Sequence, residues 1–300
     1  MTDGTRQIEP RMLYQKRYAT VLGRRMAYVD TGGTGDPIVF LHGNITSSYM
    51  WRNIMPHVEG MARCIAIDNI GQGDSEKLPE SGPGRYRLAE HQRYIDALIE
   101  QLDLGDRVTL MLHDWGGALG FTWAMNNAHR LKALAYMQTL MGDQRWEYWP
   151  PAVSDLMRRF KSPEGEALVL EQNYFIEKVL PGMTIRRLPD EIWNEYRRPY
   201  REPGEGRRPT LTWPREIPVE GNPADVLATI EAYVSWLSTS PLPKLFINSE
   251  PGAVLKGHLR DRVRTFANQT EITVAGLHYI HEDSPREIGE ALAAWYRGLA

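Results

Sequence analysis

Three hundred residues with 42% hydrophobic content can bury a large core, as one big domain or one domain with an insert. A formal net charge of −3 carries no polyanion-binding signature, so nucleic acid is not an expected partner. The single cysteine, Cys64, excludes an intramolecular disulfide, and no apolar run approaches membrane-spanning length. The stretch from Met1 to Arg17 is polar and charged and lacks the apolar core of a signal peptide, so a soluble, cytoplasmic protein is expected.

In chain order, strands alternate with helices. Residues 25–30 read as an early strand closed by the glycine-rich turn 31–35. A second strand, 37–41, ends at His42-Gly43-Asn44, and a helix over about 48–58 is expected to follow. The run 64–67 is a third strand, with Cys64 as a buried structural thiol. It ends in Asp68-Asn69-Ile70-Gly71-Gln72-Gly73-Asp74-Ser75, and the helix 88–102 comes next. Residues 108–112 are an apolar, partly β-branched run that suits a central strand, and 132–136 are another. This alternation argues for a mostly parallel sheet with both faces covered by helices, in which ligands bind at the carboxyl ends of the strands.

After about Met141 the chain becomes rich in Trp, Tyr, Pro and Arg and shows only helical pieces, at 151–159, 165–179 and 190–196. Residues 142–238 are therefore expected to form a helical cap over a core made of 1–141 and 239–300. Within the cap, 201–208 reads as a mobile loop and 213–218 as a rigid aromatic turn. Strands return at 243–248 and 271–274, and a closing helix runs to about 297.

Between the strand 108–112 and a helix lie His113-Asp114-Trp115-Gly116-Gly117. A strand that becomes a helix within so few residues forces a sharp turn, and its apex residue projects from the sheet's carboxyl edge. That residue is Asp114, with Leu112 two positions earlier where this elbow usually has a glycine. An Asp after a strand can simply cap a helix. Trp115 can be core packing and Asn44 a turn residue. Read with the rest of the chain, the functional alternative is stronger, because a histidine, His278, follows the last strand in the order nucleophile first and histidine last. His113 and His281 are expected to be structural, and His42 to order its own loop.

At this point the chain resembles a haloalkane dehalogenase of the subfamily whose halide site is an Asn and a Trp. The resemblance rests on His42-Gly43-Asn44 with Trp51-Arg52-Asn53, Gly71-Gln72-Gly73-Asp74, His113-Asp114-Trp115-Gly116, Trp213-Pro214-Arg215, Asn248-Ser249-Glu250-Pro251-Gly252, and His278 through Asp283-Ser284-Pro285. It implies the α/β-hydrolase fold and hydrolysis of carbon–halogen bonds to alcohol, halide and a proton, without metal or organic cofactor. Asp114 would be the nucleophile, His278 the base, and Asn44 and Trp115 the halide donors. Phe175, Val179, Trp213, Pro214, Ile217, Val254 and Tyr279 match the family's pocket lining. The expected partners are a small halogenated alkane, halide and water, with the protein a monomer or weak homo-oligomer.

Two positions depart from the pattern. The loop after the early strand has Ile45 where a proline is usual. The family's carboxylate partner of the histidine is replaced by Gln138, which is expected to face His278 as an acceptor; the alternative acid is Glu250. Other chemistries stay open. Epoxide hydrolases share the elbow Asp and distal His but need cap tyrosines, for which Tyr148, Tyr174, Tyr196 and Tyr200 are candidates. Coelenterazine-type monooxygenases and a non-catalytic ligand-binding homologue are further alternatives.

Overall fold

A computed structural model describes residues 8–299; the first seven residues of the polar N-terminal stretch lie outside the described residues. Eight strands form one sheet in the order β1-β2-β4-β3-β5-β6-β7-β8. They are β1 Lys16–Val21, β2 Arg24–Asp30, β3 Pro37–Leu41, β4 Arg63–Ile67, β5 Val108–Asp114, β6 Leu131–Thr139, β7 Lys244–Pro251 and β8 Gln269–Gly276. The pairs β1–β2 and β2–β4 are antiparallel. From β4 through β8 the sheet is parallel. Helices of at least eight residues are α1 Leu88–Gln101, α2 Trp115–Asn126, α3 Pro151–Lys161, α4 Asp190–Arg197, α5 Arg208–Glu216, α6 Ala224–Thr239 and α7 Pro285–Arg297.

Both faces of the central strands are apolar because both are covered. Val39 and Leu41 of β3, with Leu110 and Leu112 of β5, join α1, α2 and α6 in one core cluster. Their alternates Ile38, Phe40 and Met111 face the other way, against Trp51, Ile54 and α7. Chain order passes from β3 to β4 on one side and then to β5 on the other. The loops after β3 and β5 therefore diverge, leaving a crevice at the carboxyl edge of the sheet.

Several local expectations change. The helix expected at 48–58 is two short 3₁₀ turns, Ser48–Trp51 and Met55–His57, the second carrying Pro56 and its missing donor. The piece 165–179 contains two π-helical segments, Ala167–Glu171 and Phe175–Val179, separated by Asn173 at φ 54°. Trp213 and Pro214 lie inside α5 rather than in a turn. The carbonyls of Arg215 and Ile217, at the helix's C-terminal end, are taken by the Lys161 ammonium, which satisfies part of what the helix end leaves open. Residues 201–208 are tied down: the Arg207 guanidinium donates to the carbonyls of Leu170, Glu171, Tyr200 and Arg201. Helix α6 lies in the segment expected as cap, yet Val226, Ile230, Tyr233, Val234 and Leu237 belong to the core cluster that contains α2. Its apolar face thus packs with the sheet domain, and the expected cap limit at 238 falls at the end of a core helix.

A buried polar network joins the sheet loops to the segment above them. Arg52 and Glu282 pair through two hydrogen bonds of 2.6 and 2.9 Å with both side chains essentially inaccessible. Tyr196 of α4 donates to Glu282 at 2.7 Å, and Arg186 adds a 3.2 Å contact. Burial penalises the Glu282 carboxylate, but the Arg52 guanidinium and the Tyr196 hydroxyl outweigh that penalty and hold its pKa below the usual range.

Candidate active site

Asp114 ends β5 and caps α2 at φ 54°, ψ −129°, a left-handed conformation that a non-glycine residue adopts only under constraint. Small residues make the turn possible. A Cβ on Gly43 would lie 2.5 Å from the Asp114 Cβ, and one on Gly116 would lie 2.1 Å from the Leu41 carbonyl oxygen. Leu112, the unexpected residue two before the apex, is accommodated from the other side: a Cβ on Gly120 would meet Leu112 at 2.3 Å. The Asp114 carbonyl accepts from the Thr139 hydroxyl at 2.7 Å, which ties the elbow to β6.

The carboxylate divides its two oxygens. Oδ1 accepts from the Trp115 backbone N–H, and Oδ2 lies 2.9 Å from His278 Nε2. Burial alone would raise the carboxyl's pKa. The hydrogen bond and charge of His278, with help from His113 and the Trp115 N–H, outweigh it and hold Asp114 below its ordinary value. The group is an anion at neutral pH.

Asn44 stands after β3, and its amide is oriented on both sides. Its oxygen accepts the Ile45 N–H at 2.9 Å, and its NH₂ donates to the Thr210 carbonyl of α5 at 3.3 Å. That geometry gives the departure at position 45 a meaning. Proline has no N–H to offer and cannot adopt the φ of 57° seen at Ile45. Trp115 is held by a stack: its ring lies 4.5 Å from Trp213, which lies 4.3 Å from His91. Trp213 therefore sits behind the halide candidate, with its own N–H given to Gln72 at 3.2 Å.

Asp114, His278, Asn44 and Trp115 all face one cavity of about 370 Å³. Of the expected pocket residues, Phe175, Val179, Pro214, Ile217, Val254 and Tyr279 line it and Trp213 does not. Sequence reasoning missed the wall supplied by Trp149, Val153 and Met157. The four-residue spacing of the last two on α3 is a helical-face signal that was available. None of the four candidate tyrosines is on the wall. Tyr196 is committed to Glu282, and Tyr200 packs beneath the Lys77 ammonium.

The expected support for His278 is not present. Gln138 lines the cavity, but its oxygen accepts the backbone N–H groups of Ala253 at 3.1 Å and Val254 at 2.8 Å. Its NH₂ donates to the Ser249 hydroxyl at 2.8 Å. Two backbone donors demand an acceptor, so the amide's orientation is fixed and both lone pairs are used. Glu250 is half-exposed and pairs with Arg260. The buried His278 Nδ1 has no hydrogen-bond partner among the described residues. Its backbone is anchored instead: the His278 carbonyl lies 2.9 Å from His113 Nε2, and its N–H donates to the Met183 carbonyl at 3.1 Å. His281 Nε2 is 3.0 Å from the Tyr196 hydroxyl, and His42 Nε2 accepts from the Asn69 N–H at 2.9 Å, so both serve local structure. Cys64 is buried, and burial pushes its thiol up to about 12. No cluster of His, Cys, Asp and Glu suited to a metal ion occurs among the described residues.

The α/β hydrolase fold family model matches residues 36–285. A haloalkane dehalogenase of Sphingobium indicum is 56% identical over 95% of this chain and 96% of its own length. A coelenterazine h 2-monooxygenase of Renilla reniformis is 40% identical over 86% of this chain and 82% of its own. Among solved structures, a haloalkane dehalogenase from Bradyrhizobium elkani superposes with a TM-score of 0.90 at 38% identity, covering 95% of this chain and 98% of that one. On fold and similarity, the chain belongs to the haloalkane dehalogenase family of α/β hydrolases.

Proposed function

We propose that the protein hydrolyses haloalkanes through an alkyl ester on Asp114. The observation that carries this reading is a carboxylate kept anionic inside an otherwise largely apolar cavity, with His278 on one oxygen and two side-chain N–H donors, from Asn44 and Trp115, on the same wall. A saturated carbon–halogen bond breaks by backside attack, and a carboxylate is a ready nucleophile at pH 7 where a serine hydroxyl is not. Oδ1 already rests on the Trp115 N–H, so Oδ2 is the oxygen that forms the carbon–oxygen bond while the halide departs with the bonding pair. Asn44 and Trp115 stabilise the charge as it develops.

Water then attacks the ester carbonyl as His278 Nε2 takes its proton. The new oxyanion forms at Oδ1 beside the Trp115 N–H, at the start of α2. Collapse expels the alkoxide, which takes the proton back from His278 and leaves as the alcohol, and the remaining carboxylic acid loses its proton to solvent to restore the Asp114 carboxylate. To take the proton from water, His278 Nε2 must be free of hydrogen, which places the ring's hydrogen on Nδ1.

The segment between β6 and α6 closes the crevice and makes the cavity apolar through Val153, Met157, Phe175 and Val179. No helix among the described residues is long and apolar enough to cross a membrane, and a freely soluble enzyme acting in the cytoplasm on small haloalkanes fits that. Incubation with a panel of bromo- and chloroalkanes, and separately with styrene oxide, tests the reading. Bromide and alcohol are expected from the first and no diol from the second. Diol without bromide would instead mark an epoxide hydrolase, and light with coelenterazine a monooxygenase.

A further inference from the structure

The catalytic cavity does not end at the protein surface directly. Gln144, Trp149, Ala253, Val254 and Lys256 line it and also line an adjoining outer pocket of about 260 Å³. These five residues form a neck between an inner chamber, where Asp114 sits, and an outer one. Inside, the wall is mostly apolar. At the neck it carries one amide, Gln144, and one ammonium, Lys256.

Lys256 is exposed and pairs with no carboxylate among the described residues. The outer pocket adds His258 and Tyr148, and among the described residues Asp114, in the inner chamber, is the only carboxylate on either wall. A neutral haloalkane has no use for a cation at this point. An uncompensated positive charge at a narrow mouth between low-dielectric walls concentrates anions there. A substrate whose halogenated carbon lies against Asp114 and whose methylene chain fills the apolar chamber brings its far end to this neck.

We propose that Lys256, with the Gln144 amide, forms a distal subsite for an anionic tail, so that the preferred substrates include ω-haloalkanoates: a halogen at one end, a carboxylate at the other, and an alkyl chain long enough to span the chamber. This rests on the dehalogenase reading above. Binding at the neck adds no chemical step, since the carboxylate tail stays at the mouth while Asp114 displaces the halide. The chain length matters because the two ends are fixed by different residues.

The test measures kcat/KM for bromide release from a series of ω-bromoalkanoates, butanoate to decanoate, against 1-bromoalkanes of matching length, in wild type, Lys256→Met and Lys256→Arg. The ratio of anionic to neutral substrate is expected to peak at one chain length in the wild type. At that length it should fall about two- to fivefold in Lys256→Met, the size of a single partly screened ion pair. Lys256→Arg should keep most of the preference, and added salt should erode it. A ratio that is flat with length, or equal in wild type and Lys256→Met, overturns the subsite while leaving bromoalkane turnover intact. Absence of bromide from both series overturns the dehalogenase reading and the subsite with it.

Discussion

Gln138 stands where the family's acid is expected, and the residue does different work here. Its oxygen clamps the Ala253 and Val254 N–H groups and its NH₂ holds Ser249, so it shapes the loop that lines the cavity after β7. Gln138→Ala leaves two partly buried backbone donors unsatisfied. A loss of about 1–3 kcal/mol in unfolding free energy is expected, together with altered preference among bromoalkanes of different width. Equilibrium denaturation and a substrate panel check both; an unchanged panel would mean the loop stands without the clamp. The proposed halide donors make a second expectation at this scale. Asn44→Ala and Trp115→Phe should each slow the bromide-forming step by about 10²–10³, the usual cost of removing one donor from a site of developing charge. Rapid-quench bromide measurement decides it, and full rates in both variants would remove the assignment.

At the scale of elements, the site depends on how closely α2 approaches the strands around it. A Cβ on Gly117 would fall 1.7 Å from the Thr139 Oγ1, the atom that donates to the Asp114 carbonyl. Gly117→Ala must therefore push β6 and the elbow apart. A destabilisation of about 1–3 kcal/mol, the usual range for overpacking, is expected with a fall in kcat larger than that in Gly60→Ala, a control in an exposed turn where a Cβ meets open space. Equal behaviour of the two variants would contradict the close-approach argument. Much of this region was legible in the sequence. An apolar run ending in a charged residue and then small ones can hardly be anything but a buried strand turning into a tightly packed helix. Strand β1 was not foreseen, because Lys16–Val21 is an edge strand with mostly partly or fully exposed residues and no apolar alternation. Trp213 was assigned to the cavity from its match to the family's pocket lining, and only the stack on Trp115 reveals that it backs the wall. That Gln138 does not support His278 was beyond reach for another reason. Position 138 lies in the expected place on β6, but where its amide points is decided by the backbone of a loop over a hundred residues away.

Across the whole molecule, four buried histidines set an acid limit on stability. Burial drives His42 down to about 4, His91 and His113 down to about 3, and His281 well below its ordinary value. Each is neutral when folded, whereas the unfolded chain protonates near 6.5. Above that pH neither state gains a proton and the stability is fully present. As the pH falls below 6.5 the unfolded state binds protons that the folded state refuses. Stability is then lost at about 1.4 kcal/mol per pH unit for each histidine, down to the folded values near 4 and 3. Denaturant midpoints should drop steeply between pH 7 and pH 5. A midpoint that holds constant over that interval would mean these rings gain protons without cost.

The central claim is that Asp114 carries the alkyl group and His278 removes it. In His278→Phe the nucleophile, the Trp115 N–H and both halide donors remain, while the base is gone. Treated with excess 1-bromobutane, this variant should release one equivalent of bromide per protein. Its intact mass should rise by one butyl group, and that group should map to the peptide containing Asp114. Many equivalents of bromide from an unmodified protein, or an adduct on any other residue, would contradict the account.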